Sequence, residues 1–299
     1  MSPTEGVLNI DKPGGMTSHD VVNRIRRLTG IRRVGHAGTL DPLATGVLLL
    51  CIGRTTRLVE YLVGHDKVYE VTVRLGQATN TYDAEGEVVA ERPFTHLTTT
   101  QIEKTLDQFR GPIQQKPPIY SAIKKDGQPL YKLARAGVDV DVPARAVTIH
   151  TLEMIDVTLP EVRLRVSCSS GTYIRSLSHD LGEALDCGGH VTALQRTAVG
   201  DFAITTAVPL AYLTAQNWPE YVQAGDTAVA HLPRLDLTAA QTEALQNGQR
   251  PPRLADQTPA PLLRAYEPSG RFIGIVTAHE EYLKAQKIFH RTASEQIGK

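Results

Sequence analysis

Asp41 is the side chain best placed to do chemistry. It stands in Arg33-Val-Gly-His-Ala-Gly-Thr-Leu-Asp-Pro-Leu-Ala-Thr-Gly-Val47, a glycine-rich turn that runs straight into Val47-Leu-Leu-Leu-Cys-Ile52, the most hydrophobic run of the chain. Gly35, Gly38 and Gly46 allow φ > 0 and a close approach of backbone to a ligand, and Pro42 stiffens the chain just after the acid. The apolar run reads as a buried strand, which would seat the turn on a rigid scaffold. Asp-Pro is also an ordinary turn signal, so spacing alone leaves a reactive carboxylate and a simple bend both open.

The neighbouring residues remove several chemistries. A phosphate-binding loop ends in Gly-Lys and then Ser or Thr, but Gly46 is followed by Val47. A dinucleotide fingerprint follows its strand, whereas this turn precedes one. Paired-carboxylate chemistry needs a second acid close by, and the segment holds none. No elbow surrounds a nucleophilic serine. Cys51, Cys168 and Cys187 are far apart and show neither zinc-ligand nor disulfide-framework spacing. A reactive turn would therefore use one aspartate, as nucleophile or base, without metal.

The elements that must position this turn can be read from periodicity. Thr17 or Ser18 caps a helix through Leu28, with Val22, Ile25 and Leu28 on one face and Gly30 to end it. Val68 to Leu75 alternates, placing Tyr69, Val71, Val73 and Leu75 on the inner face of a strand. Thr100 with Glu103 predicts a capping box for a helix carrying Ile102, Leu106 and Phe109 and closed by Gly111. From Pro112 to Ala144 periodicity weakens and lysines, prolines and glycines interleave with Tyr120 and Tyr131, as in a long functional excursion. Glu161 to Cys168 alternates again, and after Ser169-Ser-Gly171 a helical period begins at Ile174, so Arg175 sits at a strand-to-helix junction. A boundary near residue 233 separates residues 1–232 from a small strand-rich tail, 233–299. There Thr238 and Gln241 cap a short helix and two strands flank Glu267-Pro-Ser-Gly270.

With 299 residues the chain can bury a sizeable core. Its 32 basic and 32 acidic residues cancel, so any anionic partner must be held by a local patch and not by a global field. Arg24, Arg26, Arg27, Arg32 and Arg33, just before the Asp41 turn, are a candidate patch. The amino terminus lacks a charged region followed by an apolar stretch, and the longest apolar run is too short to span a bilayer, which makes a cytoplasmic protein the expectation.

Six segments, in order and spacing, resemble the TruB family of pseudouridine synthases over nearly the whole chain. They are Gly6-Val-Leu-Asn-Ile-Asp-Lys-Pro-Gly14, Gly35 to Gly46, Asp66-Lys-Val-Tyr69, Leu75-Gly-Gln77 leading to Asp83, Tyr120-Ser-Ala-Ile-Lys124, and Ser170-Gly-Thr-Tyr-Ile-Arg175. The resemblance implies an α+β protein: a pseudouridine-synthase catalytic fold with a mixed, largely antiparallel central sheet flanked by helices, and a small C-terminal PUA-like β-barrel domain that binds RNA. It implies Asp41 as the catalytic aspartate, Tyr69 against the target base and assisting the late proton removal from C5, and Arg175 pairing with Asp41, with Asp83 as a second partner. It places His36 in the space left by flipped bases. Tyr173, Lys12 and Leu194 match pocket positions, and Lys124 lies in an RNA-gripping insertion at about 112–144. Asn80 departs from the acid that relatives often carry after Gly-Gln, which puts the polar network around Asp83 in question.

The implied partner is the T-arm stem-loop of tRNA, modified by a monomer with no cofactor, metal, membrane or obligatory protein partner. Two other functions fit the same motifs: a guide-dependent H/ACA-type synthase, and a tRNA-binding or folding chaperone. Arg24 to Arg33, Lys116 to Lys132 and the tail would line the RNA groove. Phosphate contacts release counterions, so the affinity of a tRNA stem-loop should fall steadily as salt rises in a binding titration. A flat response would remove RNA as the partner.

Overall fold

In the computed structural model, which describes residues 5–120, 124–125, 128–129 and 142–290, the apolar run after the Asp41 turn is strand Thr45–Ile52. Its two faces feed two cores. Leu48, Leu50 and Ile52 join the main core, and Val47, Leu49 and Cys51 join a second one. A strand covered on both sides has no polar face, and that is why the sequence there is continuously hydrophobic instead of alternating.

The strand belongs to a ten-stranded sheet. Its path runs Val208–Pro209, Gly6–Lys12, Thr45–Ile52, Gly189–Val199, Lys67–Leu75, Glu161–Cys168, Arg145–Thr158 and Gly111–Gln115, with Val34–Ala37 and Phe202–Ala203 beside it. Pairing is antiparallel except between Gly6–Lys12 and Val208–Pro209 and between Thr45–Ile52 and Gly189–Val199. The sheet is therefore mixed and largely antiparallel. In Lys67–Leu75 the buried residues are Lys67, Tyr69, Val71, Val73 and Leu75, the inner face that alternation predicts. Tyr69 is paired with Val166 on one side and Arg196 on the other.

Helix Ser18–Thr29 is closed by a capping box from Thr17 to Asp20 and by Gly30 in the left-handed conformation, and it buries Val21, Val22 and Ile25. Helix Ile174–Ala184 buries Ile174, Leu177 and Leu181 against the sheet. Its far end is fixed by direct backbone contact. A Cβ on Gly182 would lie 2.1 Å from the amide nitrogen of Gly189, so only glycine lets the helix settle this low. That seat sets where Arg175, at the other end of the helix, points.

Two details differ from the sequence reading. The capping box of helix Thr99–Leu106 is Thr98 with Gln101, not Thr100 with Glu103. Both pairs have the right spacing, and burial of Ile102 and Leu106 chooses the frame. Positive φ occurs at Gly38 and Gly46 but not at Gly35, which lies inside strand Val34–Ala37.

The tail forms a four-stranded sheet, Arg234–Asp236, Ala260–Tyr266, Phe272–Ala278 and Leu283–Ile288, with helix Ala239–Gln246 capped by Thr238 and Gln241 as expected. Ile275 and Phe289 enter the second core beneath strand Thr45–Ile52, and Lys287 pairs with Glu60 at 2.7 Å. Lys287, in the tail expected to line the RNA groove, is thus engaged in docking the tail.

The Asp41 turn is held on every side by backbone bonding. Ser18 Oγ donates to the Leu40 carbonyl at 3.1 Å and accepts from the Leu40 amide at 2.8 Å. Lys12 Nζ donates to the carbonyls of Pro13, Met16 and Pro42, and the Gly15 amide donates to Pro42 as well. At the foot of the turn Gly46, with φ 96°, abuts strand Gly189–Val199. A Cβ there would lie 2.2 Å from the Arg196 carbonyl oxygen. Gly46→Ala combines a disfavoured φ with overpacking, so it should destabilise the fold by about 3 kcal/mol or more, read as a lowered midpoint in denaturant. An unchanged midpoint would mean that the turn is not seated this way.

Candidate active site

Four segments meet at a cavity of about 370 Å³ lined by Gly38 to Asp41, Val63, Lys67, Tyr69, Gly171 to Arg175, Leu194 and Arg196. This is the size of a small-molecule pocket. The turn supplies Asp41, the paired strands Lys67–Leu75 and Gly189–Val199 supply Tyr69, Leu194 and Arg196 from one face, and the start of helix Ile174–Ala184 supplies Tyr173 and Arg175.

Arg175 and Asp41 form a two-pronged ion pair, with Nε 2.9 Å from Oδ2 and Nη2 donating to Oδ1 at 3.1 Å. The opposite edge of the guanidinium meets Asp83 at 3.1 Å, and the remaining donors reach the carbonyls of Thr81 and Tyr120. Arg175 and Asp83 are buried, with 7% and 4% of their side chains exposed, while 35% of Asp41 faces the cavity. The pair is thus anchored at its back and open only at the aspartate. A cation in the first turn of a helix opposes the helix dipole, and the two carboxylates offset this. Asp83 is held in turn by Thr81 Oγ1 and the Glu85 amide. Asn80, where an acid was expected, accepts from the Glu87 amide and closes the same loop without touching Arg175.

Burial pushes the Asp41 carboxyl above the usual aspartate range, against the pull of Arg175, with the charge of Asp83 adding to the rise. Burial also raises the Tyr69 phenol, opposed by Arg196 beside it. Lys67, whose Nζ donates to the Val63 and His65 carbonyls, is brought down to about 8 by burial. A carboxyl group, an aromatic ring and flanking cations around a half-open cavity can stabilise charge that develops on a bound ligand.

Of the residues singled out from sequence, Asp41, Tyr69, Tyr173, Arg175 and Leu194 line one cavity, and Asp83 stands behind Arg175. Gln115 clamps the Tyr173 backbone through both its amide and its carbonyl. Lys12 does not line the cavity. It is wholly buried behind the turn, facing carbonyls, and burial lowers it to about 8 although Asp41 draws it up. His36 does not line the cavity either; its ring lies half-buried on strand Val34–Ala37, and burial lowers its pKa. The side chain of Lys124 and most of the excursion at 112–144 lie outside the described residues. Of the arginine cluster, Arg24, Arg27, Arg32 and Arg33 are exposed, whereas Arg26 is tied to the Val34 carbonyl.

Sequence reasoning missed Ser18, Lys67 and Arg196. The signal for the two cations was available: each stands on the buried parity of an alternating strand, where a charged residue is anomalous. Ser18 carries no such signal, because a serine at a helix start reads only as a cap.

The chain is similar to known proteins along most of its length. Residues 26–174 match the family described as "TruB family pseudouridylate synthase (N terminal domain)", and residues 175–235 match "tRNA pseudouridylate synthase B C-terminal domain". The chain is 46% identical over 277 residues to tRNA pseudouridine synthase B of Pseudomonas aeruginosa, covering 90% of each chain. It is 43% identical over 285 residues to that of Haemophilus influenzae, covering 93% of this chain and 91% of the other. Among solved structures it is similar to a chain of a Cbf5-Nop10-Gar1 complex, with a TM-score of 0.74 at 25% identity over 96% of this chain and 85% of that one. Likeness at this level along nearly the whole length means that the chain belongs to the TruB family of pseudouridylate synthases, which are isomerases.

Proposed function

We propose that this chain isomerises the TΨC-loop uridine of tRNA, position 55, to pseudouridine, acting as a monomer on the T-arm without guide RNA or cofactor. The observation that carries this reading is the Asp41 carboxylate, held by a buried Arg175 at the mouth of a cavity that contains Tyr69. The reaction breaks the C1′–N1 bond, turns the uracil, and joins C5 to C1′; the proton lost from C5 is balanced by one gained at N1. Nothing is oxidised and no group leaves.

The uridine must first leave its stack, at a cost of roughly a few kcal/mol that the aromatic lining of the cavity offsets. As the glycosidic bond breaks the sugar becomes electron-poor, and the Asp41 carboxylate stabilises it while Arg175 keeps the carboxylate aimed. Tyr69, opposite Arg196 on the neighbouring strand, holds the freed ring and assists proton removal from C5. His36 and Lys124 act on the RNA around the target, and residues 233–299 serve as a PUA-like RNA-binding module. What supports tRNA as substrate is the name shared by relatives at 46% and 43% identity.

A guide-dependent synthase has one observation in its favour, the structural likeness to the Cbf5 complex. Purified chain mixed with a tRNA T-arm alone separates the two readings. Modification without further components supports the tRNA enzyme, and activity only with guide RNA and partner proteins overturns it. Tritium release from tRNA labelled at uridine C5 should fall by roughly a thousandfold or more in Asp41→Asn, equivalent to about 4 kcal/mol of barrier. Release unaffected by the substitution would remove Asp41 from the mechanism, and no release from the parent protein would leave binding or chaperoning as the function.

The electrostatics yield a pH prediction. Asp41 must be ionised, and its pKa lies above the ordinary value, so activity is lost as pH falls through that raised value. Arg175 lowers it. In Arg175→Gln the acid limb of the single-turnover rate should therefore move to higher pH, in addition to any loss at the plateau. An acid limb that stayed in place would dissociate the arginine from the ionisation of Asp41.

A further inference from the structure

Arg196 is among the largest fully buried side chains of the molecule, with 1% of its surface exposed, and beyond lining the cavity beside the Tyr69 phenol it has no part in the reaction as described. Among the described residues no carboxylate pairs with it. Its guanidinium instead donates to three carbonyls of the Asp41 turn: Nε to Val47 at 2.7 Å, Nη2 to Gly38 at 3.1 Å and Nη1 to Thr39 at 3.4 Å. Gly38 and Thr39 lie on the arm that enters the turn, and Val47 on the arm that leaves it. One planar group therefore spans both arms and sets the distance between them. The backbone of the same residue abuts Gly46, so the turn is gripped by the side chain and the main chain of a single position.

Burying a cation without an anion is costly, and fold stability would be served as well by a leucine or methionine of similar volume. The fork shape accounts for the choice of residue. An ammonium is a point donor on a flexible stem, whereas a guanidinium holds its donors in a fixed plane. We propose that Arg196 is a positioning residue for the isomerisation: it clamps the two arms of the Asp41 turn so that the carboxylate meets Arg175 and the sugar at the reactive angle. This rests on the proposed function of the Asp41 site. Displacement of a reacting group by about 1 Å costs on the order of a hundredfold in rate, so the clamp acts on the chemical step and not on RNA affinity.

Arg196→Lys and Arg196→Met test this in the full-length protein. For each variant three quantities are measured: the affinity for a tRNA T-arm, the single-turnover rate at saturating RNA, and amide hydrogen exchange across the chain. The expected result is an affinity within about threefold of the parent, a rate lower by roughly a hundredfold in both variants, and faster exchange confined to the peptide around residues 36–47. The lysine variant keeps the charge, so its failure to restore the rate separates clamping by the fork from simple electrostatics. A saturated rate within threefold of the parent in either folded variant overturns the proposal, as does a loss that resides wholly in affinity. Faster exchange across the entire sheet, or failure of both variants to fold, makes Arg196 a stability residue and also overturns it. If the parent itself does not modify tRNA, the function proposed for Asp41 fails, but the local exchange result still reports whether Arg196 holds the turn.

Discussion

A guanidinium buried between two carboxylates organises this molecule. Arg175 joins the turn that carries Asp41, the loop that carries Asp83 and the carbonyl of Tyr120, three points far apart in the chain. Taking an arginine and an aspartate out of water is unfavourable by several kcal/mol per ion, and the cost is met only when every donor has an acceptor in good geometry. The surrounding fold achieves this. Helix Ile174–Ala184 is seated through Gly182 directly on the backbone of Gly189, and Gln115 grips the residue before the helix. The ion pair is therefore a sensitive gauge of whether the sheet, the helix and the two loops are assembled together.

The same economy governs the turn. A loop that projects into a cavity loses water from its carbonyls and amides, and each must find another partner. Ser18 serves Leu40, Lys12 and the Gly15 amide serve Pro42, and Arg196 serves Gly38, Thr39 and Val47. Two of these partners are buried cations, Lys12 and Arg196, whose charges also face the acid-bearing turn from behind. The result is a carboxylate whose backbone is immobilised while its oxygens remain available, the preorganisation that charge stabilisation at a reacting centre needs.

Much of this was legible in the residues. Val68 to Leu75 announced a strand with Tyr69 inward because alternation survives wherever one face is buried, and Thr238 with Gln241 announced a helix because capping is local. The box of helix Thr99–Leu106 was misplaced by two residues because Thr98-Gln101 and Thr100-Glu103 satisfy the same local rule; packing of Ile102 and Leu106 decided between them. The family resemblance places Lys12 at a pocket position, whereas its ammonium is consumed by carbonyls behind the turn. Asn80 raised a question about the loop around Asp83, and its bond to the Glu87 amide answers it with a structural role.

By itself the sequence determined the candidate acid, the order of the elements and the family resemblance, since these rest on residue type, on period and on short spacings that neighbours along the chain impose. The tertiary structure supplied the geometry by which Arg175 holds Asp41 with Asp83 behind it, a pairing that only the family resemblance implied, and it alone decided that Arg196 would span the turn. Those relations join residues 41, 83, 175 and 196, and no local rule connects them. They exist because the sheet brings the strands bearing Tyr69 and Arg196 side by side and lowers one helix onto them, and burial then requires each charge to find its partner across that junction.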